Sequence, residues 1–161
     1  MGTNTKMHIM EKEKLTDVAM KHYPSRLDLR IDWAELDLFG HVNNVMFLKY
    51  VQASRVHYWE QIGLYQHFLA TKQGPMLASV RCDFRKPLHY PGKVSVRCRL
   101  KHIGNTSFSL EHRIENAEGS LVAEAEDVIV MYDFNRNEKM PFPNKFRKKA
   151  EAFEGRSFRQ Q

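Results

Sequence analysis

Cysteine is scarce in this chain. Cys82 and Cys98 are the only two, too few to staple a small secreted fold with disulfides. Neither has metal-ligand spacing or a flanking His–Cys cluster, so both read as small apolar residues of strand cores. No apolar run approaches the roughly 20 residues that a membrane-spanning helix needs. Met1 to Met20 is polar and studded with Lys and Glu, without the apolar centre of a secretory signal. A soluble, cytoplasmic protein is expected. The eight glycines are scattered, and none cluster ahead of a helix as a phosphate loop does. No His, Cys, Asp or Glu group has ligand spacing, so neither a metal nor a dissociable cofactor is expected. Repeats and low-complexity linkers are missing too, and 161 residues then suit one domain with an ordinary core.

What is present is a globular composition, 42% hydrophobic and 27% charged, with a net charge of +6. A positive balance is compatible with nucleic acid and with a ligand carrying several phosphates. Arg81, Arg85, Arg97 and Arg99 form an outward basic face. Glu111, Glu115, Glu124 and Glu126 stand on neighbouring strands, so cross-strand pairing accounts for them. Nucleic-acid readers interleave aromatic stacking platforms with such cations. These outward positions lack them, so no nucleic-acid partner is expected.

Periodicity orders the chain. Leu15 to His22 predicts a short helix before Pro24. Leu27 to Trp33 alternates apolar and polar, as a half-buried strand does. Asn43 or Asn44 can cap a helix running from about Val45 to Ile62, with Gly63 as its stop. The first half of that helix, Val45 to Val51, is apolar almost all round, which predicts a helix wrapped by other structure. Four strands follow. Ala78, Val80, Cys82 and Phe84 face one way in the first; Val94, Val96, Cys98 and Leu100 do so in the second. Gly104-Asn105 turns into a third, with Phe108, Leu110 and Ile114 inward. Asn116 to Gly119 turns into a fourth, from about Leu121 to Asp133. Its apolar phase slips near Asp127, predicting a bulge or burial on both faces. A charged helix follows, about Asn144 to Glu154. Four consecutive strands with one apolar face read as a meander. The apolar helix is what that face must cover.

The segment from Trp33 to Asn44 gathers two carboxylates, a His and two Asn between a strand and a helix start. A helix N-terminus offers unpaired N–H groups and a partial positive charge, which suits the oxygen of a reacting thioester carbonyl. A carboxylate just upstream can activate water or attack directly. The same residues also serve a purely architectural reading: loop Asp and Asn shape turns and cap helices. The residues by themselves leave both readings open.

The segment resembles the signature of the 4-hydroxybenzoyl-CoA thioesterase family of the hot-dog superfamily. The elements that carry the resemblance are Trp33, Glu35-Leu36-Asp37, Gly40-His41-Val42-Asn43-Asn44, and Phe47 to Tyr50 with Ala53 and Arg55. The strand order from Leu27 to Asp133 agrees, as does Pro141-Phe142-Pro143 before a helix. The resemblance implies an α+β hot-dog fold, a curved antiparallel sheet wrapped around a central helix. It implies hydrolysis of an acyl-CoA to acid and coenzyme A. Asp37 matches the catalytic carboxylate and the Asn44 N–H the group that polarises the carbonyl. His41, Val42 and Asn43 match the turn that positions it, and His41 also stands where it can bond the carbonyl or the water. Gly40, Val42 and Asn43 are carried over as substrate-binding positions.

Three departures matter. Gln52 stands where many members carry Glu, so a second catalytic carboxylate is not expected. Glu35 replaces the usual Asp. Phe39 occupies a position that is Asn in the plant acyl-carrier-protein thioesterases, which favours coenzyme A over a carrier protein. Arg85, Lys86 and Lys101, near sheet ends, are candidates for the phosphates. A non-catalytic acyl-CoA binder and an acyl-carrier-protein thioesterase are the alternatives. The expected organisation is an N-terminal extension over 1–25, partly disordered, a hot-dog domain over 26–155 and a tail over 156–161. Unpaired sheet edges predict a homodimer or homotetramer.

Overall fold

The computed structural model describes residues 23–159. The helix expected before Pro24 and most of the 1–25 extension lie outside the described residues.

Strand β1 is Ser25–Arg30. It stops before Trp33 because the Asp32 side chain accepts from the Ala34 N–H, starting a short 3₁₀ turn over Trp33–Glu35. Helix α1 is Asn44–Gln61, with the Asn43 carboxamide accepting from the Val45 N–H at its start. Gly63 ends it in the left-handed region at φ 76°, where a side chain would be strained. A second helix, α2 (Leu64–Thr71), has no counterpart among the elements expected from periodicity. Strands β2 (Gln73–Phe84), β3 (Lys93–Ile103), β4 (Ser107–Asn116) and β5 (Leu121–Asp133) follow, then the two-residue β6 (Glu138–Lys139) and helix α3 (Asn144–Glu154).

All pairings are antiparallel, and the long strands lie in the order β1-β3-β4-β5-β2. The four-strand meander is therefore corrected. Only β3, β4 and β5 run as neighbours; β2 pairs with β5 at the far edge of the sheet. The segment between β2 and β3, carrying Pro87 and Pro91, is a crossover and not a hairpin. The sheet curls around α1, which packs on β1, β3 and β4. This is the hot-dog arrangement.

Two further expectations change. Helix α1 is not wrapped on every side, since Val45 is 61% and Leu48 39% exposed. The inner side of β2 is also half-open: Val80 and Cys82 are half-buried and Phe84 is exposed. Strand β5 keeps its phase through Asp127, with Ala123, Ala125, Asp127, Ile129 and Met131 all buried. It is buried on both faces at Val122 and Val130, while the register against β2 shifts between Leu77 and Ser79, opposite Ile129 and Val128. Asp127 sits in phase on the core side, where its charge is answered by Arg55.

That answer is a sealed polar cluster. The Asp127 carboxylate accepts from Arg55 Nε at 2.7 Å and contacts His112 Nε2 at 2.9 Å. His112 Nδ1 lies 3.3 Å from Ser54 Oγ. All four residues are buried. Helix α3 is tied on by Glu154, whose carboxylate accepts from Tyr58 Oη at 2.7 Å and from the Leu100 N–H at 2.6 Å.

Candidate active site

The 3₁₀ turn and the start of α1 are locked together through Glu35. Its carboxylate accepts from Tyr50 Oη at 2.5 Å, Lys49 Nζ at 2.9 Å and the Asp32 N–H at 3.1 Å. Burial pushes the Glu35 carboxyl up, but these three donors outweigh it and hold it below the usual range. Every lone pair that matters on Glu35 is engaged, which makes it a structural staple.

Between these fixed points the chain makes a tight excursion. The Asp37 N–H donates to the His41 carbonyl at 2.7 Å, and Leu36 bridges Val42. Gly40 sits at φ 75°, a conformation open to glycine at little cost. Asp37 Oδ1 accepts from the Phe39 N–H at 2.8 Å and the His41 N–H at 3.1 Å. No described residue donates to Oδ2. The architectural reading of Asp37 and Asn43 thus holds, and Asp37 still keeps one oxygen free.

A neighbouring segment completes the site. The Val42 N–H donates to the Leu88 carbonyl at 2.9 Å, and His41 bridges His89 with the two rings edge to face at 5.0 Å. Gly92 is required here, because a Cβ would stand 2.8 Å from the His89 carbonyl oxygen. Phe84 meets Phe47 edge to face at 5.2 Å. The result is a cleft of about 280 Å³ that brings together Asp37, His41, Val42, Asn44, Arg85 and Lys86 against Phe47 and Phe84. Asn43 caps the helix beside it. The Asn44 N–H, at the first turn of α1, has no acceptor among the described residues. A carboxylate oxygen and a helix-end N–H, both unspent, therefore border one cleft.

Sequence reasoning missed Phe84, Leu88 and His89 here. Only the register of the crossover against the Asp37 loop brings them in, and no local pattern carries that. Lys101 is not brought to the cleft. It lies on the outer sheet face, with Nζ 2.7 Å from Glu126 and 3.3 Å from Glu111. Arg85 borders the cleft while its guanidinium pairs with Glu124 at 3.0 Å. Gln52 is exposed on α1. The thiols offer no nucleophile: burial, with Asp83 and Asp127 nearby, pushes Cys82 up to about 11, and Cys98 is raised by full burial. Among the described residues no three His, Cys, Asp or Glu side chains converge as a metal site would need. No described helix is long and apolar enough to cross a membrane.

The structure resembles that of a thioesterase from Thermus thermophilus, complexed with coenzyme A and Zn. The two are 26% identical with a TM-score of 0.76, over 85% of this chain and 98% of that one. In sequence, the chain is 26% identical over 89 residues to the uncharacterized protein YsmA of Bacillus subtilis, a match spanning 55% of this chain and 59% of that protein's length. It is 22% identical over 124 residues to the long-chain acyl-CoA thioesterase FadM of Escherichia coli, covering 76% of this chain and 94% of FadM. The family model of the thioesterase-like superfamily matches residues 31–150, a span that runs from the end of β1 through the Asp37 loop and α1 to α3, and the chain belongs to that superfamily.

Proposed function

We propose that the protein hydrolyses an acyl-CoA thioester to the free acid and coenzyme A, in the manner of the 4-hydroxybenzoyl-CoA thioesterases, with Asp37 as the catalytic carboxylate. The observation that carries this reading is the pair of unspent groups on one cleft, Asp37 Oδ2 and the Asn44 N–H. With a thioester carbonyl oxygen on the Asn44 N–H, the positive end of α1 stabilises the negative charge that develops there. Asp37 takes the proton of a water whose oxygen bonds to the acyl carbon. The C–S bond then breaks, and the thiolate of coenzyme A leaves and takes up the proton. Direct attack by Oδ2 uses the same atoms: an acyl-Asp37 anhydride forms as the thiolate leaves, and water then cleaves it. Gly40, Val42 and Asn43 hold the loop, while Lys86 and Arg85 border the mouth on the side of the anionic substrate. The names of the Thermus and Escherichia relatives support coenzyme A as the carrier.

The site closes, in this reading, against a second copy. Leu38 is 96% and Phe39 81% exposed beside the catalytic loop. Val45 and Leu48 extend that apolar surface along α1, and the outer edge of β2 has no partner strand among the described residues. A homodimer joined along these surfaces, or a tetramer of such dimers, buries them. Sedimentation at micromolar concentration should give a dimer or larger; a pure monomer would remove this part of the proposal.

The central test is turnover of a panel of acyl-CoA substrates by wild type and Asp37→Asn, followed by release of free thiol. Asn retains an oxygen for the Phe39 and His41 N–H groups, so the turn survives while the charge is lost. The expected fall in kcat is at least about a hundredfold, the scale of losing a positioned acid–base or nucleophilic group. Wild-type turnover in Asp37→Asn would overturn the assignment. A wild-type protein that binds acyl-CoA without cleaving it would make it a binder instead.

A further inference from the structure

The outer face of the sheet is a ladder of matched charges, with one exception. The Lys and Arg residues Arg26, Arg81, Arg97, Arg99, Lys101 and Arg113 on the long strands each lie within 4.0 Å of a carboxylate. Arg30 and Lys93 do not. They stand directly opposite one another where β1 pairs with β3, so both side chains leave the same face of the sheet. Like charges facing each other across an antiparallel pair repel, and no described carboxylate lies within ion-pair distance of either. Asp28 and Asp32 flank Arg30 at two residues' distance, but Asp28 Oδ1 accepts from Arg26 Nε and Ser95 Oγ, and Asp32 Oδ1 accepts from the Ala34 N–H at 3.0 Å.

These two cations border a cleft of about 490 Å³ whose other walls include Trp33 and Tyr90. Trp33 is 71% and Tyr90 47% exposed, and neither ring stacks on another described aromatic. Exposed aromatic faces beside unpaired cations are what a base with a phosphate requires: the ring stacks, and the guanidinium and ammonium take the phosphate oxygens. The cleft shares its two chain segments with the catalytic cleft. Trp33 opens the 3₁₀ turn that leads to Asp37, and Tyr90 follows His89, which bridges His41.

We propose that Arg30, Lys93, Trp33 and Tyr90 form a nucleotide-binding site for the phosphorylated adenosine end of coenzyme A. The proposal rests on the reading of the substrate as an acyl-CoA. It moves recognition of the nucleotide away from Lys101, whose ammonium is already held by two carboxylates.

The test uses the full chain and adenosine 3′,5′-bisphosphate, the isolated nucleotide end, followed by calorimetry and by tryptophan fluorescence. Trp33 and Trp59 are the only two tryptophans, and Trp59 packs against the core, so stacking on Trp33 should quench the exposed fluorophore. The affinity should fall at least about tenfold in Trp33→Ala and in the Arg30→Gln/Lys93→Gln double variant, the scale of losing one stacked base or its charged contacts. Trp33→Phe should retain most of it. Arg81→Gln, which removes a matched cation, should leave it unchanged. Dephospho-coenzyme A should bind more weakly than coenzyme A.

Several results would overturn the proposal: no binding at millimolar nucleotide, equal affinity in wild type and the double variant, or inorganic phosphate binding as tightly as the nucleotide. A single-stranded RNA that binds far more tightly would reassign the cleft to nucleic acid. Conversion of an oligomer to monomer by Trp33→Ala would reassign it to a second copy. Hydrolysis is read separately. If acyl-CoA is cleaved and the bisphosphate does not bind, the nucleotide site fails alone. If the bisphosphate binds and acyl-CoA is not cleaved, the catalytic reading fails alone.

Discussion

Two regions of this molecule hold an aspartate beside a histidine, and they are opposites. In the loop between the 3₁₀ turn and α1, Asp37 and His41 are partly exposed, and half of the Asp37 carboxylate is uncommitted. Under α1, the Asp127 carboxylate is divided between Arg55 and His112, and His112 continues to Ser54. By residue type the second region is the better match to a hydrolytic triad, with serine, histidine and aspartate at contact distances. Yet Ser54 and His112 are each 1% exposed and Asp127 0%, so no substrate reaches them. Chemistry needs an unspent group at an accessible atom. A group whose capacity is fully used, and which water cannot reach, contributes to the uniqueness of the fold instead.

Breaking each region should have opposite signatures. The largest effect belongs to Asp127→Ala. Removing one partner of a buried ion pair leaves the Arg55 guanidinium without its counter-charge, at a cost of about 3–5 kcal/mol. Urea unfolding should report that loss directly. A loss well under 1 kcal/mol would mean that water enters this region and that the cluster is not sealed.

Asp37→Asn should invert the pattern. Its kcat falls at least about a hundredfold, while its unfolding midpoint stays close to wild type because the turn keeps both of its N–H bonds. An unfolding midpoint as depressed as that of Asp127→Ala would make Asp37 a structural residue first, and the activity loss would then carry no chemical meaning.

The smallest and sharpest change is Ser54→Ala. It deletes one end of the buried chain for about 1 kcal/mol of stability, the net worth of an ordinary hydrogen bond. Its kcat against acyl-CoA should equal that of wild type. A drop in kcat as deep as that of Asp37→Asn would transfer catalysis to the buried cluster and dissolve the contrast between the two regions.

Much of the Asp37 loop is legible in the sequence, for local reasons. Asn43 as a cap, Gly63 as a stop and the inward phase of Val94, Val96, Cys98 and Leu100 depend only on neighbours in the chain. The dual nature of Asp37, turn former and candidate base, follows from its place between a strand and a helix. Trp33 reads as the end of a strand, yet it opens a 3₁₀ turn, because Asp32 and Glu35 cap that turn reciprocally. Asp127 reads as a break in pattern because a charge on an inward position looks like a phase error until its partner is known.

By itself, then, the sequence determined the long strands, helices α1 and α3, the buried face of β3 and the motif that starts α1, since periodicity and capping act over a few residues. Tertiary structure alone decided that β2 crosses to pair with β5, that His89 meets His41, and that Arg30 faces Lys93 without a carboxylate. It also decided which Asp–His pair is open and which is sealed. Strand pairing and solvent access depend on residues distant in the chain, whose approach is set by how a whole curved sheet closes on its helix.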